Sequence, residues 1–93
     1  TLPPRAYFGA AAVSSGDVVV FGGADPQSVI IADTRVLHAG VWHGVTGPQP
    51  LARQQPAMVG LGTSVLMIGG FDAAGRVFGD EWLFDSTLSQ WSR

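Results

Sequence analysis

The sequence contains an internal duplication, and this repeat restricts the possible fold more than any other feature. A diglycine follows an apolar run twice, at Gly22-Gly23 and at Gly69-Gly70, 47 residues apart. An arginine, an aspartate and a tryptophan also recur, after 48, 47 and 49 residues: Arg5 and Arg53, Asp33 and Asp80, Trp42 and Trp91. A period of about 45–50 residues is typical of proteins that build one supersecondary unit from each repeat.

Each repeat is predicted to contain four short strands separated by turns. The run of β-branched residues from Val18 indicates a strand buried on both faces, and the cluster Ser14 to Asp17 before it indicates a turn. The expected strands are 6–13, 18–21, 29–37 and 41–46, then 54–61, 64–70, 78–84 and 90–93. No segment has a convincing helical pattern. The predicted fold class is therefore all-β, with two four-stranded antiparallel units.

The order of the landmarks in the second repeat resembles a kelch repeat. Arg53 comes first, an apolar strand then leads into Gly69-Gly70, and the segment Asp80-Glu81-Trp82-Leu83-Phe84-Asp85 precedes Trp91. The first repeat matches less well, because Arg35 and His38 stand where the second has Trp82 and Asp85. The resemblance covers the whole chain. It implies two kelch-like propeller blades, the first at 1–46 and the second at 54–93, joined by a link at 47–53.

Two local features fit such a blade. Pro56 falls within the expected first strand of the second repeat, and proline is tolerated there only if that strand is an edge. The innermost strand of a propeller blade is such an edge. The diglycines are expected to permit close backbone approach and unusual dihedral angles, so we assign them a structural role.

The composition argues against several classes of protein. A net charge of −2 gives no basic field of the kind that nucleic-acid binders need. No run approaches 18 apolar residues, so no membrane association is expected. The absence of cysteine removes disulfides and thiolate sites, and it favours a cytoplasmic location.

Two blades leave apolar faces without cover. Only 13% of the residues are charged, against about 25% in an ordinary soluble domain, and 46% are hydrophobic. Each blade face must be covered by the next blade, and two blades do not close a ring. We therefore expect the chain to associate with itself, as a homotrimer of six blades or a homotetramer of eight, or to use the remaining blades of a longer chain.

The candidate binding surface lies at one end of the predicted sheets. Alternate loops of an antiparallel sheet share one end, which here carries the loops at 24–28 and 71–77 and the links at 1–5 and 47–53. The resemblance implies that this end is the binding face. The candidate residues are Arg5, Asp25, Gln27, Arg53, Gln54, Asp72 and Arg76.

The two arginines of this set have two interpretations. Arg5 and Arg53 would present guanidinium groups to an acidic peptide or a carboxylate. Alternatively, a carboxylate such as Asp33 or Asp80 holds each guanidinium and ties strands together.

The other polar residues give little support for catalysis. His38 and His43 flank a tight turn without a third metal ligand at an obvious spacing. Asp80 and Glu81 are adjacent and point to opposite faces of a strand, which favours a structural role over acid–base catalysis. The three tryptophans are interpreted as packing residues. No phosphate-binding or other cofactor motif is present, so no cofactor is expected.

These observations predict that the chain is a non-catalytic kelch-like unit, which acts as a scaffold for protein interaction or self-assembly. The alternative is a two-blade piece of a kelch-like enzyme of the oxidase or sugar isomerase class. The lack of cysteine argues against a galactose-oxidase-like oxidase, since the resemblance implies a cysteine–tyrosine pair there. A third hypothesis is a unit whose only role is to build a ring.

Overall fold

The chain folds into β-strands joined by short loops. The computed structural model describes residue 2 and residues 4–93, so Thr1 and Pro3 of the expected link at 1–5 lie outside the described residues. The first four strands are β1 (Gly9–Ala12), β2 (Val18–Phe21), β3 (Thr34–His38) and β4 (Val41–Gly44). The second four are β5 (Ala57–Leu61), β6 (Ser64–Ile68), β7 (Glu81–Asp85) and β8 (Gln90–Ser92). Within the described residues, no helix is long and apolar enough to cross a bilayer.

The strands form two four-stranded antiparallel sheets. The first sheet has the order β1-β2-β3-β4 and the second has the order β5-β6-β7-β8. The all-β prediction with two four-stranded units is thus confirmed. Pro56 directly precedes β5, which is an edge strand of its sheet, so the missing N–H interrupts no pairing within that sheet.

The third strand of each sheet is shorter than its sequence indicates. It begins at Thr34 and at Glu81 rather than near Val29 and Phe78. Each preceding loop folds back on itself, because Ala24 bridges Ile30 and Phe71 bridges Val77. These small hairpins keep Val29, which was expected in a strand, and Val77, which was expected in a loop, out of the sheets and place both at the loop end of the molecule.

The two sheets have the same register. In the first sheet Ala11, Val19 and Val36 form one cross-strand row. In the second sheet the corresponding row is Val59, Leu66 and Leu83. Each residue therefore has a counterpart 47 to 49 positions away that occupies the same place in the other sheet.

The sheets pack on each other through faces that are not counterparts. The first sheet contributes the face that carries Ala11, Val19 and Val36, and the second contributes the face that carries Met58, Val65, Phe84 and Trp91. Consequently, the counterparts of each packed face lie on the outside of the other sheet. We call these surfaces the first outer face (Ala10, Ala12, Val18, Arg35, Leu37 and Trp42) and the second outer face (Val59, Leu61, Leu66, Ile68, Glu81, Leu83 and Asp85).

The core lies between the two sheets. Val13, Val19, Val65 and Phe84 are buried there, and the ring of Trp91 packs beside them. The Trp91 ring centroid lies 5.1 Å from that of Phe84 in its own sheet. The same ring meets Phe21 of the first sheet edge to face at 5.4 Å, a favourable geometry for an aromatic pair.

The diglycines have the dihedral angles and close contacts that the sequence predicts. Gly23 and Gly70 have φ angles of 96° and 101°, which other residues rarely adopt. A Cβ on Gly23 would lie 2.5 Å from the carbonyl oxygen of Ala6, and one on Gly70 would lie 2.9 Å from that of Gln54. Both positions therefore need glycine for the same two reasons.

Candidate functional site

The guanidinium of Arg53 is buried and makes a bidentate ion pair. Its Nη1 lies 2.7 Å from Oδ1 of Asp80, and its Nη2 lies 3.1 Å from Oδ2. It also donates to the backbone carbonyls of Leu51 and Gly69, and it stacks 4.0 Å from the ring centroid of Phe78. The side chain has no exposed surface. Arg53 thus holds the link, the diglycine and the start of β7 together.

Arg5 makes the corresponding contacts in the first sheet. Its Nη2 donates to Oδ2 of Asp33 at 2.5 Å, and its Nη1 donates to the carbonyl of Gly22 at 3.3 Å. Only 1% of the Arg5 side chain is exposed. Neither arginine therefore presents a guanidinium to solvent, and both contact the aspartates that the alternative interpretation named.

At one of the two positions where the repeats differ, the different side chains make the same contact. In the second sheet, Nε1 of Trp82 donates to Oδ2 of Asp80 at 2.7 Å. In the first sheet, Arg35 occupies the counterpart position, and its Nε donates to Asp33 at 3.0 Å. Indole and guanidinium both supply an N–H here. The Arg53 guanidinium, followed by the Trp82 indole, lowers the pKa of Asp80 to about 2, against the opposing effect of burial.

Asp25 and Asp72 organise the two loop hairpins. Oδ1 of each aspartate accepts two backbone N–H bonds at 2.9 Å, from Gln27 and Val29 in the first loop and from Ala74 and Arg76 in the second. Oδ2 of Asp72 also pairs with Nε of Arg76 at 3.0 Å. The bond from the Arg76 backbone N–H is the main cause that lowers the pKa of Asp72 below its ordinary value. Both carboxylates are thus engaged with their own loops.

A groove of about 700 Å³ lies between the two loop hairpins and the link. We call it the loop-face groove. Its lining includes the aliphatic side chains of Val29, Leu51 and Val77, which are 55%, 70% and 72% exposed. Asp72 and Arg76 also line it, and the Arg76 side chain is 83% exposed. The groove therefore combines apolar surface with one accessible cation.

The seven predicted site residues have different positions relative to this groove. Asp72 and Arg76 line it, and Asp25 and Gln27 belong to the hairpin whose later residues form one wall. Gln54 pairs through its backbone with Phe71 at the base of the second hairpin. Arg5 and Arg53 are buried in the ion pairs described above.

Sequence reasoning missed the apolar part of the groove, namely Val29, Leu51 and Val77. A signal was available, since each of these residues lies within two positions of a glycine, a proline or a serine. An aliphatic residue that a sheet does not bury must be covered elsewhere or remain exposed.

No family model matches the sequence. No curated protein matches it either. The contacts of the chain itself therefore carry its functional interpretation.

A second cleft, of about 760 Å³, separates the outer strands of the two sheets. His38, His43 and Trp91 line it together with Ser86 and Ser89. The two imidazole centroids are 6.2 Å apart, and Nδ1 of His38 lies 2.9 Å from Oδ1 of Asp17. Within the described part of the chain, no three histidine or carboxylate side chains form a group that would hold a metal ion.

Proposed function

We propose that the chain is a non-catalytic, kelch-like propeller unit that binds another protein through the loop-face groove. The observation that carries this proposal is the exposure of Val29, Leu51 and Val77 around one groove. Exposed aliphatic side chains that cluster beside polar residues are typical of interaction surfaces.

The arrangement of the sheets supports the blade interpretation. The two sheets have the same strand order and the same register, and each packs a different face against the other. A chain of equivalent sheets that pack in this way is the arrangement from which a propeller is built. Short loops at one end then present a binding surface on a rigid support.

The contacts of the charged residues support a binding role over catalysis. Arg5, Arg53 and Asp80 are held in ion pairs that join the link, the diglycines and the third strands. A catalytic acid or base must reach a substrate, and these groups face the protein interior. Asp25 and Asp72 similarly hold the backbone of their own loops.

The groove favours a peptide that carries both an aliphatic side chain and a carboxylate. Asp72 engages Arg76 through Nε, and among the described residues no hydrogen bond involves its Nη1 or Nη2. These two N–H groups can donate to a carboxylate in the bidentate geometry that arginine prefers. The exposed aliphatic residues beside them would contact an apolar side chain of the same peptide.

Fluorescence anisotropy tests this proposal with two labelled short peptides that share a central leucine. Glutamates flank the leucine in one peptide and lysines flank it in the other. The glutamate peptide is expected to bind, and Arg76→Glu should weaken that binding by roughly tenfold or more. Arg93→Glu is the matched control, since it removes the same charge outside the groove.

Val77→Asp provides a second variant, because it replaces the most exposed aliphatic side chain of the groove. It should also weaken binding of the glutamate peptide. Equal binding of both peptides, or unchanged binding by Arg76→Glu and Val77→Asp, would overturn the assignment of the groove.

A further inference from the structure

We propose that the second outer face of one copy of this chain docks onto the first outer face of another copy. The docking would have the head-to-tail geometry by which the two sheets already pack within the chain. This inference rests on the blade interpretation of the proposed function and does not depend on the loop-face groove.

Among the described residues, the second outer face carries exposed large aliphatic side chains, and the first outer face carries none. Val59, Leu61, Ile68 and Leu83 project from three adjacent strands and are 49%, 52%, 45% and 37% exposed. These residues are neighbours in one plane and not scattered across the surface. Such a surface in water is expected to have a partner.

The chain itself shows what kind of surface fits this face. Val59, Leu66 and Leu83 are the counterparts of Ala11, Val19 and Val36, which pack against the second sheet. Within the chain, these three residues pack against Val65, Phe84 and Trp91 of the second sheet. The counterparts of that second set are Val18, Leu37 and Trp42, which lie on the first outer face. A second copy therefore presents the matching surface.

The tryptophan contact illustrates the correspondence. Within the chain, Trp91 packs against Phe21 and donates its indole N–H to the hydroxyl of Thr34. The counterparts of Phe21 and Thr34 are Ile68 and Glu81, which belong to the second outer face. Trp42 of the docking copy would therefore pack on Ile68 and donate its N–H to the Glu81 carboxylate, and a charged acceptor strengthens such a bond.

Backbone groups at the innermost strands give an independent argument. Within the chain, the N–H of Gly23 donates to the carbonyl of Arg53 at 2.8 Å, and that of Gln55 donates to the carbonyl of Tyr7 at 2.6 Å. These bonds join the first repeat to the second. They show that blade-to-blade contact includes main-chain pairing as well as apolar packing.

The counterparts of these four groups have no hydrogen-bond partner among the described residues. Head-to-tail docking would pair Gly70 N–H with the Arg5 carbonyl of the next copy, and it would pair the Gln55 carbonyl with the next copy's Tyr7 N–H. Backbone groups that are removed from water need such partners.

Charge distinguishes this arrangement from pairing of like faces. The first outer face carries Arg35, whereas the second carries Glu81 and Asp85. Docking of unlike faces brings opposite charges together, and two second outer faces would bring acids against acids. One difference from the internal contact remains. Within the chain, Gly60 of β5 lies close to the Ala12 carbonyl of β1, where a side chain would not fit. The docking copy has Ala12 in place of Gly60, so its β1 must lie slightly farther from β5 of the first copy.

Light scattering coupled to size exclusion tests the inference on the whole chain and on two single-face variants. Ala10→Glu blocks the first outer face at an exposed position, and Leu83→Glu blocks the second. The unmodified chain is expected to exceed its monomer mass of 9.7 kDa, and a closed ring of three copies would have roughly 29 kDa. Each variant alone should be a monomer.

An equimolar mixture of the two variants gives the decisive result. One intact pair of unlike faces remains, so the mixture should form a heterodimer of roughly 19 kDa, twice the 9.7 kDa chain, and nothing larger. Thr87→Glu is the control, because Thr87 is exposed in the turn between β7 and β8 and belongs to neither face. It should assemble like the unmodified chain.

Several results would overturn the inference. A folded monomer for the unmodified chain, a variant that still dimerises alone, or a mixture that stays monomeric would each do so. Aggregation that neither variant relieves would also count against it and favour the remaining blades of a longer chain. Circular dichroism checks that the variants fold, and Ala12→Lys with Ile68→Lys addresses the same faces if they do not. Peptide binding measured on the monomeric variants reports separately on the groove.

Discussion

The indole Nε1 of Trp91 lies 2.8 Å from the Oγ1 of Thr34 and donates a hydrogen bond to it. This bond connects β8 of the second sheet to β3 of the first. The Thr34 hydroxyl in turn donates to the side-chain oxygen of Gln49, whose amide donates to the carbonyl of Val45 at 3.2 Å. A single threonine thus joins both sheets and the link between them.

Replacing Thr34 with valine tests this junction. The side chain of Thr34 is fully buried, so Thr34→Val leaves the Trp91 N–H without its acceptor inside the protein. We expect the free energy of unfolding to fall by about 1–3 kcal/mol. Urea titration measures the change, and Thr46→Val, at an exposed position, should stay within about 0.5 kcal/mol of the parent. Equal effects of the two changes would mean that the bond does not stabilise the fold.

The two buried arginines should tolerate lysine to different degrees. Both guanidinium groups donate to backbone carbonyls, but Arg53 makes a bidentate pair with Asp80, whereas a single oxygen of the Asp33 carboxylate accepts from Arg5. A lysine cannot reproduce the planar bidentate geometry. Arg53→Lys keeps the charge but leaves buried acceptors without donors, so it should destabilise the fold by about 1–3 kcal/mol, and Arg5→Lys by less. Thermal unfolding of both variants tests this ranking. A lower melting temperature for Arg5→Lys than for Arg53→Lys would contradict it.

Acid should weaken the fold through Asp80. Its pKa falls from the ordinary 3.8 to about 2 in the folded chain, so the stabilisation is complete above pH 3.8 and is lost as the pH falls through about 2. The difference corresponds to about 2 kcal/mol. Asp80→Asn removes the titrating group and retains Asp72, so the stability gap between parent and variant should narrow on acidification. A gap that stays constant in urea titrations from pH 6 to pH 2 would contradict this origin.

The duplication predicts much of the fold because it is carried by residues with strong backbone preferences. The diglycines mark the ends of β2 and β6, and the run from Val18 to Phe21 fills one central strand as expected. The third strands were predicted too long, since an apolar pattern does not distinguish a strand from a hairpin that bends away. Asp25 and Asp72 cause that bend through their side chains.

The candidate site depends on relationships that a sequence pattern does not express. Arg5 and Arg53 have the residue type of a carboxylate receptor, and only the distances to Asp33 and Asp80 show that each is already paired. The common role of Arg35 and Trp82 is also hidden, since the two residues share nothing except an N–H at the right position. Strained backbone at Tyr7 and Gln55, with φ of 59° and 54°, likewise becomes visible only in three dimensions.

Alanine at Gly70 should destabilise the fold strongly, whereas alanine at Gly79 should not. Gly70 combines a φ of 101° with close approach of the Gln54 carbonyl, so a Cβ there meets both strain and a steric clash. A Cβ on Gly79 meets no atom within 4 Å, and its φ is not positive. We expect Gly70→Ala to reduce the free energy of unfolding by about 1–3 kcal/mol or more.

Gly79→Ala is expected to be neutral or to stabilise the fold by up to about 1 kcal/mol, since alanine restricts the unfolded chain. Urea titration of both variants, with circular dichroism to confirm that the sheets persist, makes the comparison. Gly70 lies in the segment that follows β6. Its counterpart in the first sheet, Gly23, has a similar positive φ angle. Gly23→Ala should therefore behave like Gly70→Ala. If either diglycine variant were as stable as Gly79→Ala, close backbone approach would not be the reason for glycine there.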